Sequence, residues 1–228
     1  AYDDRQHQVQ YAQGKPMKLF SDSLEDGKPI PVEFAFCKID AAKHATLSDN
    51  QNPHLAWEDV PPATKSFALI CHDVDVPSKP DDLFKEDREI PSLLPRVDFY
   101  HWVLIDIPPT QRSIDEGSYS KEVKPRGKNG PVAPNNTRQG VNGYTDWFAN
   151  DHDMNGDYFG YDGPCPPWND SIVHRYVFTL YALDVARVPV EGKFSGPDVL
   201  KAIDGHIVAK AQLTGTYTLN PRLALTIA

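Results

Sequence analysis

The chain has 228 residues, 40% of them hydrophobic and 21 of them proline, and a formal charge of −9. Proline at roughly twice its usual frequency beside an ordinary apolar fraction describes a folded, turn-rich protein with a substantial core, not a disordered one. The acidic balance argues against nucleic acid, whose phosphates would be repelled, and no apolar run approaches the roughly 18 residues of a membrane span.

The first residues, AYDDRQHQVQYAQGK, show no basic leader followed by an apolar stretch, so no signal peptide is expected in them. PVEFAFCKI (residues 31–39) is a short strand candidate. SFALICHDV (66–74) alternates strictly, placing Phe67, Leu69 and Cys71 on one face and Ala68, Ile70 and His72 on the other. The following HDVDVP reads as a polar turn with Asp73 and Asp75 two residues apart, and the Val76–Pro77 bond is a candidate for a cis peptide.

FYHWVLIDI (99–107) is a second strong strand, ended by Pro108 and Pro109, which cannot continue a ladder. HRYVFTLYAL (174–183) is a third. In SGPDVLKAIDGHIVAKAQL, Ser195 or Gly196 can cap a helix, Pro197 suits its first turn and Asp198 complements its dipole. Val199, Leu200, Ile203 and Ile207 share a side of that helix, with Gly205 as a break. AQLTGTYTL (211–219) is a last strand candidate. Two irregular stretches, about 78–98 and 111–162, are long enough to suggest a functional or interfacial use within one domain spanning 1–228. A mostly β chain with one or two short helices and long loop insertions is expected.

Cys37, Cys71 and Cys165 have no metal-type spacing, and Cys37 and Cys71 lie in strand-like runs. All three are expected to be reduced, which favours the cytoplasm, with a periplasmic or secreted location open if a leader has been removed.

Chemistry-bearing residues fall into three places. Asp73 and Asp75 leave a strand. His101 sits in an apolar strand and must satisfy its ring nitrogens when buried. His174 and Tyr176 lie two apart, so imidazole and phenol face one way. Competing readings exist. Asp151, Asp153, Asn155 and Asp157, with Gly156 at the sixth position and Asp162 at the twelfth, imitate a calcium loop without its terminal Glu. His101, His174 and Asp73 could form a zinc set. Ser171 beside His174 hints at a hydrolase but lacks a nucleophile motif and lies on the opposite face.

Taken in order, PHLAWEDVPPATKSFALICHDVDVP, FYHWVLIDIP and GPCPPWNDSIVHRYVFTLYALD (163–184) resemble the three signature blocks of the phosphatidylethanolamine-binding protein family, also called Raf kinase inhibitor protein-like. GPDVLKAIDGHIVAKAQLTGTYTL resembles the end of its bacterial branch. The likeness runs from about Pro53 to Leu219. It departs at Val74, where the family usually has proline.

The resemblance implies an antiparallel Greek-key β-sandwich with a small pocket for phosphate-type anions or phosphoethanolamine-like headgroups. Asp73, His101, Gly163, Pro164, His174 and Tyr176 would line it, supported by Asp75 and Pro77. In that picture the anion accepts from His101, His174, Tyr176 and a backbone N–H near Gly163, while Asp73 orients a histidine. The implied role is binding or regulation without catalysis and without a cofactor. A kinase or protease target and a homodimer built through the inserts are further expectations from the same resemblance.

Overall fold

The computed structural model describes residues 15–226, so the reading of the first fourteen residues lies outside it. Among the described residues ten strands form three antiparallel sheets. The largest has five strands in the order β10-β9-β5-β6-β8: β10 (Ile207–Tyr217), β9 (His174–Leu183), β5 (Ser66–Pro77), β6 (Arg96–Ile107) and β8 (Arg138–Gln139). A three-stranded sheet joins β1 (Lys18–Phe20), β4 (Leu55–Glu58) and β7 (Ser113–Ile114), and β2 (Cys37–Asp40) pairs with β3 (His44–Leu47).

Alternation along β5 explains why its sheet is covered on both sides. Phe67, Leu69 and Cys71 enter the larger core with Trp102, Leu104, Phe178 and Leu180, which is shared with Leu19, Leu55, Trp57 and Ile114 of the three-stranded sheet. Ala68 and Ile70 enter a smaller core on the opposite face, with Val103, Ile105, Val199 and Ile203. Val199 and Ile203 come from helix α2 (Gly196–Ile203), the second of three short α-helices among the described residues, after α1 (Tyr144–Trp147) and before α3 (Pro221–Ala224). Full burial of such side chains contributes roughly 1.5–3 kcal/mol each, and Phe67, Leu69, Trp102 and Leu104 are fully enclosed.

Several local expectations hold and several are corrected. Ser195 caps α2 in a reciprocal pair with Asp198, as the sequence suggests. Ile207, however, begins β10: Gly205 takes φ +80°, a left-handed turn that ends the helical segment two residues earlier. HDVDVP is strand rather than turn. β5 runs through Pro77, with a register shift between Asp73 and Val76 in its pairing to β6. Among the described residues the cis bond is Gly130–Pro131, not Val76–Pro77. The early PVEFAFCKI stretch is a 3-10 turn at Val32–Phe34 followed by β2, because Phe34 turns inward while Val32 stays exposed.

The largest correction concerns the cysteines. Cys37 and Cys165 are joined by a disulfide, with Cα atoms 4.8 Å apart across 128 residues of sequence, and only Cys71 is free and buried. The chain brings β2 against the segment after Gly163, where Phe36 and Cys37 both donate their N–H groups to the Pro164 carbonyl at 2.9 and 3.1 Å. Spacing in sequence carries no trace of this juxtaposition. The premise for a cytoplasmic location therefore fails.

Candidate functional site

β9 sets the site. Its period of two turns His174 and Tyr176 inward, to 0% and 1% exposure, and leaves Arg175 outside. β5 places Asp73 opposite Tyr176 in the ladder, and β6 supplies His101 on the other side of β5. The imidazole of His101 packs edge-on against Tyr176 at 5.2 Å between ring centroids. Tyr144 of α1 closes over it at 5.7 Å and Phe99 tilts against it at 4.9 Å. Asp73, His101, His174 and Tyr176, distant in sequence, thus share one buried cluster.

Their hydrogen bonds differ from the expected anion cradle. His174 has no free nitrogen: Nδ1 donates to Asp73 at 2.6 Å and Nε2 donates to Asp170 at 2.6 Å. Asp170 also accepts from both terminal nitrogens of Arg96, at 2.6 and 3.1 Å. The result is a buried Arg96–Asp170–His174–Asp73 chain of alternating charge. Burial opposes the imidazolium, but the hydrogen bonds and charges of Asp170 and Asp73 outweigh it and raise the His174 pKa to about 9. Burial likewise opposes the Asp170 carboxylate, yet His174 and Arg96 together hold its pKa below the ordinary value.

A pKa raised above the unfolded value near 6.5 contributes stability that is complete below that pH and lost as pH rises through about 9. The loss expected across this window is on the order of 3 kcal/mol. Urea unfolding of wild type and His174→Asn between these limits checks it, with the variant lacking this part of the slope.

Gly163 and Pro164 shape the wall without offering donors to a ligand. The Gly163 N–H donates to Asn50 Oδ1 at 2.7 Å, and its carbonyl accepts from the Tyr144 hydroxyl at 2.6 Å. A Cβ at Gly163 would lie 2.1 Å from the Phe34 carbonyl oxygen, so only glycine allows this approach. Asp75 accepts from the Arg175 backbone and guanidinium at 2.8–3.0 Å, and its own N–H donates to Asp73 at 2.7 Å. Pro77 closes β5 opposite Arg96 and thereby helps locate the guanidinium. Asp75 and Pro77 therefore flank the cluster from outside it.

Two polar atoms are left over. The Tyr176 hydroxyl is enclosed and makes no hydrogen bond of ordinary geometry, with the Asp73 carboxylate in its surroundings. His101 donates Nδ1–H to the Asp162 carbonyl at 2.7 Å, and its Nε2 makes no hydrogen bond to the protein. An enclosed hydroxyl without such a bond costs about 1–3 kcal/mol, which a bound ligand or water atom would recover.

The metal readings lose their ligands to other partners. Asp162 turns inward and accepts from Asn50 and Asn142, both at 2.8 Å. Asp151 accepts from its own turn, at the N–H groups of Asp153 and Met154; Asn155 accepts from Arg126; Asp157 pairs with Lys193 at 2.7 Å. Among the described residues no group of three or more His, Cys, Asp or Glu side chains is placed to hold a metal ion. The zinc set fails because both His174 nitrogens are occupied. Ser171 donates its hydroxyl to the Ile90 carbonyl, away from His174.

Sequence reasoning missed Asp170, Arg96, Asn50 and Tyr144. Asp170 sits in the very block that carries His174, but four residues of irregular backbone give no rule for which way it points. Arg96 arrives through the 78–98 insert, which Asn169 ties to the pocket loop by accepting from the Phe84 N–H at 3.0 Å and donating to the Asp82 and Arg88 carbonyls at 2.8 and 3.1 Å.

Comparison with known proteins agrees with this layout. Residues 20–218 match the family model described as phosphatidylethanolamine-binding protein. The chain is a member of that family. Among curated relatives, it is 31% identical to the UPF0098 protein YbhB of Escherichia coli over 89% of this chain and 100% of that one. A UPF0098 protein of Methanothermobacter thermautotrophicus is 36% identical over 77% of this chain and 88% of its own. In structure, the family homologue CT736 of Chlamydia trachomatis superposes with a TM-score of 0.58 at 30% identity, covering 89% of this chain and 97% of that one. Escherichia coli YbcL, described as a member of the mammalian family, shares the fold with a TM-score of 0.59 over 90% and 99% of the two chains. The family fold is an antiparallel β-sandwich, and the stacked sheets described above are this chain's version of it.

Proposed function

We propose that this family member is a binding protein that captures a small oxyanion, of the phosphate-headgroup class, between Tyr176 and His101, and that it does so without catalysis. The observation that carries this reading is the enclosed Tyr176 hydroxyl, which makes no close hydrogen bond, beside the His101 ring, whose Nδ1 is committed to Asp162. Behind them the His174 imidazolium is held in place by two carboxylates, Asp73 and Asp170, which balance its charge within the buried chain. Ligand contact is assigned to Tyr176 and His101, and support to Asp73, Asp170, Arg96 and His174. The expectation that His174 itself touches the anion is set aside.

A disulfide-bonded pair belongs to an oxidising compartment, so a periplasmic or extracellular setting is proposed in place of the cytoplasm. Calorimetry with inorganic phosphate and phosphoethanolamine tests the binding role. Removing a hydrogen bond to a charged ligand costs roughly 1.5–3 kcal/mol, so Tyr176→Phe is expected to weaken binding at least about tenfold. Because the hydroxyl makes no close hydrogen bond in the free protein, the same variant should be no less stable than wild type. If neither ligand binds the wild type at millimolar concentration, the reading fails.

A further inference from the structure

We propose that Lys128 and Asn50 react within the folded chain to form an isopeptide bond, with Asp162 carrying the protons and ammonium as the leaving group. The proposal is independent of the ligand reading. It concerns the basic run KPRGKNG (124–130), which that reading leaves without a role.

The cations of this run go different ways. Lys124 pairs with Glu122 at the surface, and Arg126 reaches Asn155 and the His152 carbonyl. Lys128 turns inward, with 17% of its side chain exposed. Its Nζ donates to the Tyr161 carbonyl, to Ser120 Oγ at 3.1 Å and to Asp162 Oδ1 at 3.4 Å. Asn50, fully enclosed, turns its carboxamide to the same two side chains: Nδ2 donates to Asp162 Oδ1 at 2.8 Å and to Ser120 Oγ at 3.5 Å. Amine and amide nitrogen are thus neighbours across two shared acceptors.

The remaining contacts suit amide transfer. The Gly163 N–H donates to Asn50 Oδ1 at 2.7 Å, so the oxygen that would gather charge in a tetrahedral intermediate already has its donor. Asn142 Nδ2 donates to Asp162 Oδ2 at 2.8 Å, which orients the carboxylate and leaves Oδ1 to the two nitrogens. The Asn50 backbone is fixed on both sides: its N–H donates to the Ala35 carbonyl at 3.0 Å, and its carbonyl accepts from the Ser120 hydroxyl at 2.6 Å. Holding reactants in this way replaces a bimolecular encounter.

The steps balance. Asp162 takes a proton from the Lys128 ammonium and frees the nitrogen lone pair. Nζ adds to Asn50 Cγ while the Gly163 N–H holds the oxyanion. Asp162 gives its proton to Nδ2, then takes a second from Nζ and passes that on as well. The Cγ–Nδ2 bond breaks, ammonium leaves with the positive charge of the lysine, and Asp162 is again a carboxylate. One Nζ–Cγ bond has replaced one Cγ–Nδ2 bond, with no oxidant or reductant consumed. The product staples the long 111–162 insert to the segment that follows β3.

The experiment is mass spectrometry of the full chain, reduced and denatured, followed by peptide mapping. The bulk of the protein should be lighter than its sequence by one ammonia, and tandem spectra should show a branched peptide joining the Asn50 and Lys128 segments. A succinimide at Asn129–Gly130, Asn142–Gly143 or Asn155–Gly156 would also release ammonia, so the branched peptide decides. Lys128→Arg and Asp162→Asn should both lack that peptide. Wild-type protein that yields only linear peptides around Asn50 and Lys128, even after prolonged incubation of the folded chain, overturns the proposal whatever the variants do.

Discussion

Asp170→Asn is expected to destabilise the protein by about 3–5 kcal/mol, the cost of breaking a buried ion pair from one side. Asparagine keeps the shape of aspartate, so packing is not the cause. The substitution leaves the Arg96 guanidinium, only 11% exposed, and the His174 ring, fully enclosed, without the anion that joins them. Part of the loss should be relieved by His174 giving up its proton, so the variant's stability should fall less steeply than wild type as pH rises from neutrality through about 9. Chemical denaturation at neutral pH and at high pH measures both effects. A loss below about 1 kcal/mol, the value of an exposed pair, would mean that the chain of charges is incidental.

The disulfide carries the second large effect. Joining residues 128 apart restricts the unfolded chain strongly, and removing a native bridge of this kind typically costs roughly 2–5 kcal/mol. Cys37→Ala/Cys165→Ala is expected to lose that amount, and reductant should reproduce the loss in the wild type but not in the variant. The consequence reaches the site, because Cys165 lies two residues beyond Gly163 and its segment forms one wall of the cluster. Thiol titration in denaturant gives an independent check. One thiol, that of Cys71, should react without reductant and three with it, and three in both conditions would contradict the bridge.

Much of this architecture is legible in the sequence wherever a period is at work. The alternation of Phe67, Ala68, Leu69 and Ile70 assigns two opposite cores, and the two-residue step from His174 to Tyr176 turns both inward, because side-chain direction in a strand follows from position alone. The capping pair of Ser195 and Asp198 is equally local. What escapes the sequence is whatever depends on two distant segments meeting. Nothing near Cys37 announces Cys165, and nothing near Arg96 announces Asp170.

The same limit explains the donors that were misassigned. Period two correctly aims His174 inward, but its partners decide whether a nitrogen is free, and those come from β5 and from an irregular loop. Gly163 is similar: the motif marks a close backbone approach, and the approach is to Phe34 and Asn50 instead of to an anion. The calcium-like pattern fails for the converse reason. Its spacing is right, yet Asp162 is drawn inward by two asparagines that the pattern does not include.

The division of labour between the two histidines is the centre of the account, and nitrogen-15 spectra of histidine-labelled protein during titration with phosphoethanolamine test it most directly. His101 Nε2 should begin as an unprotonated, unbonded nitrogen and move on ligand addition, while both nitrogens of His174 keep their protonated shifts throughout. Movement of a His174 nitrogen with His101 unchanged would contradict the account.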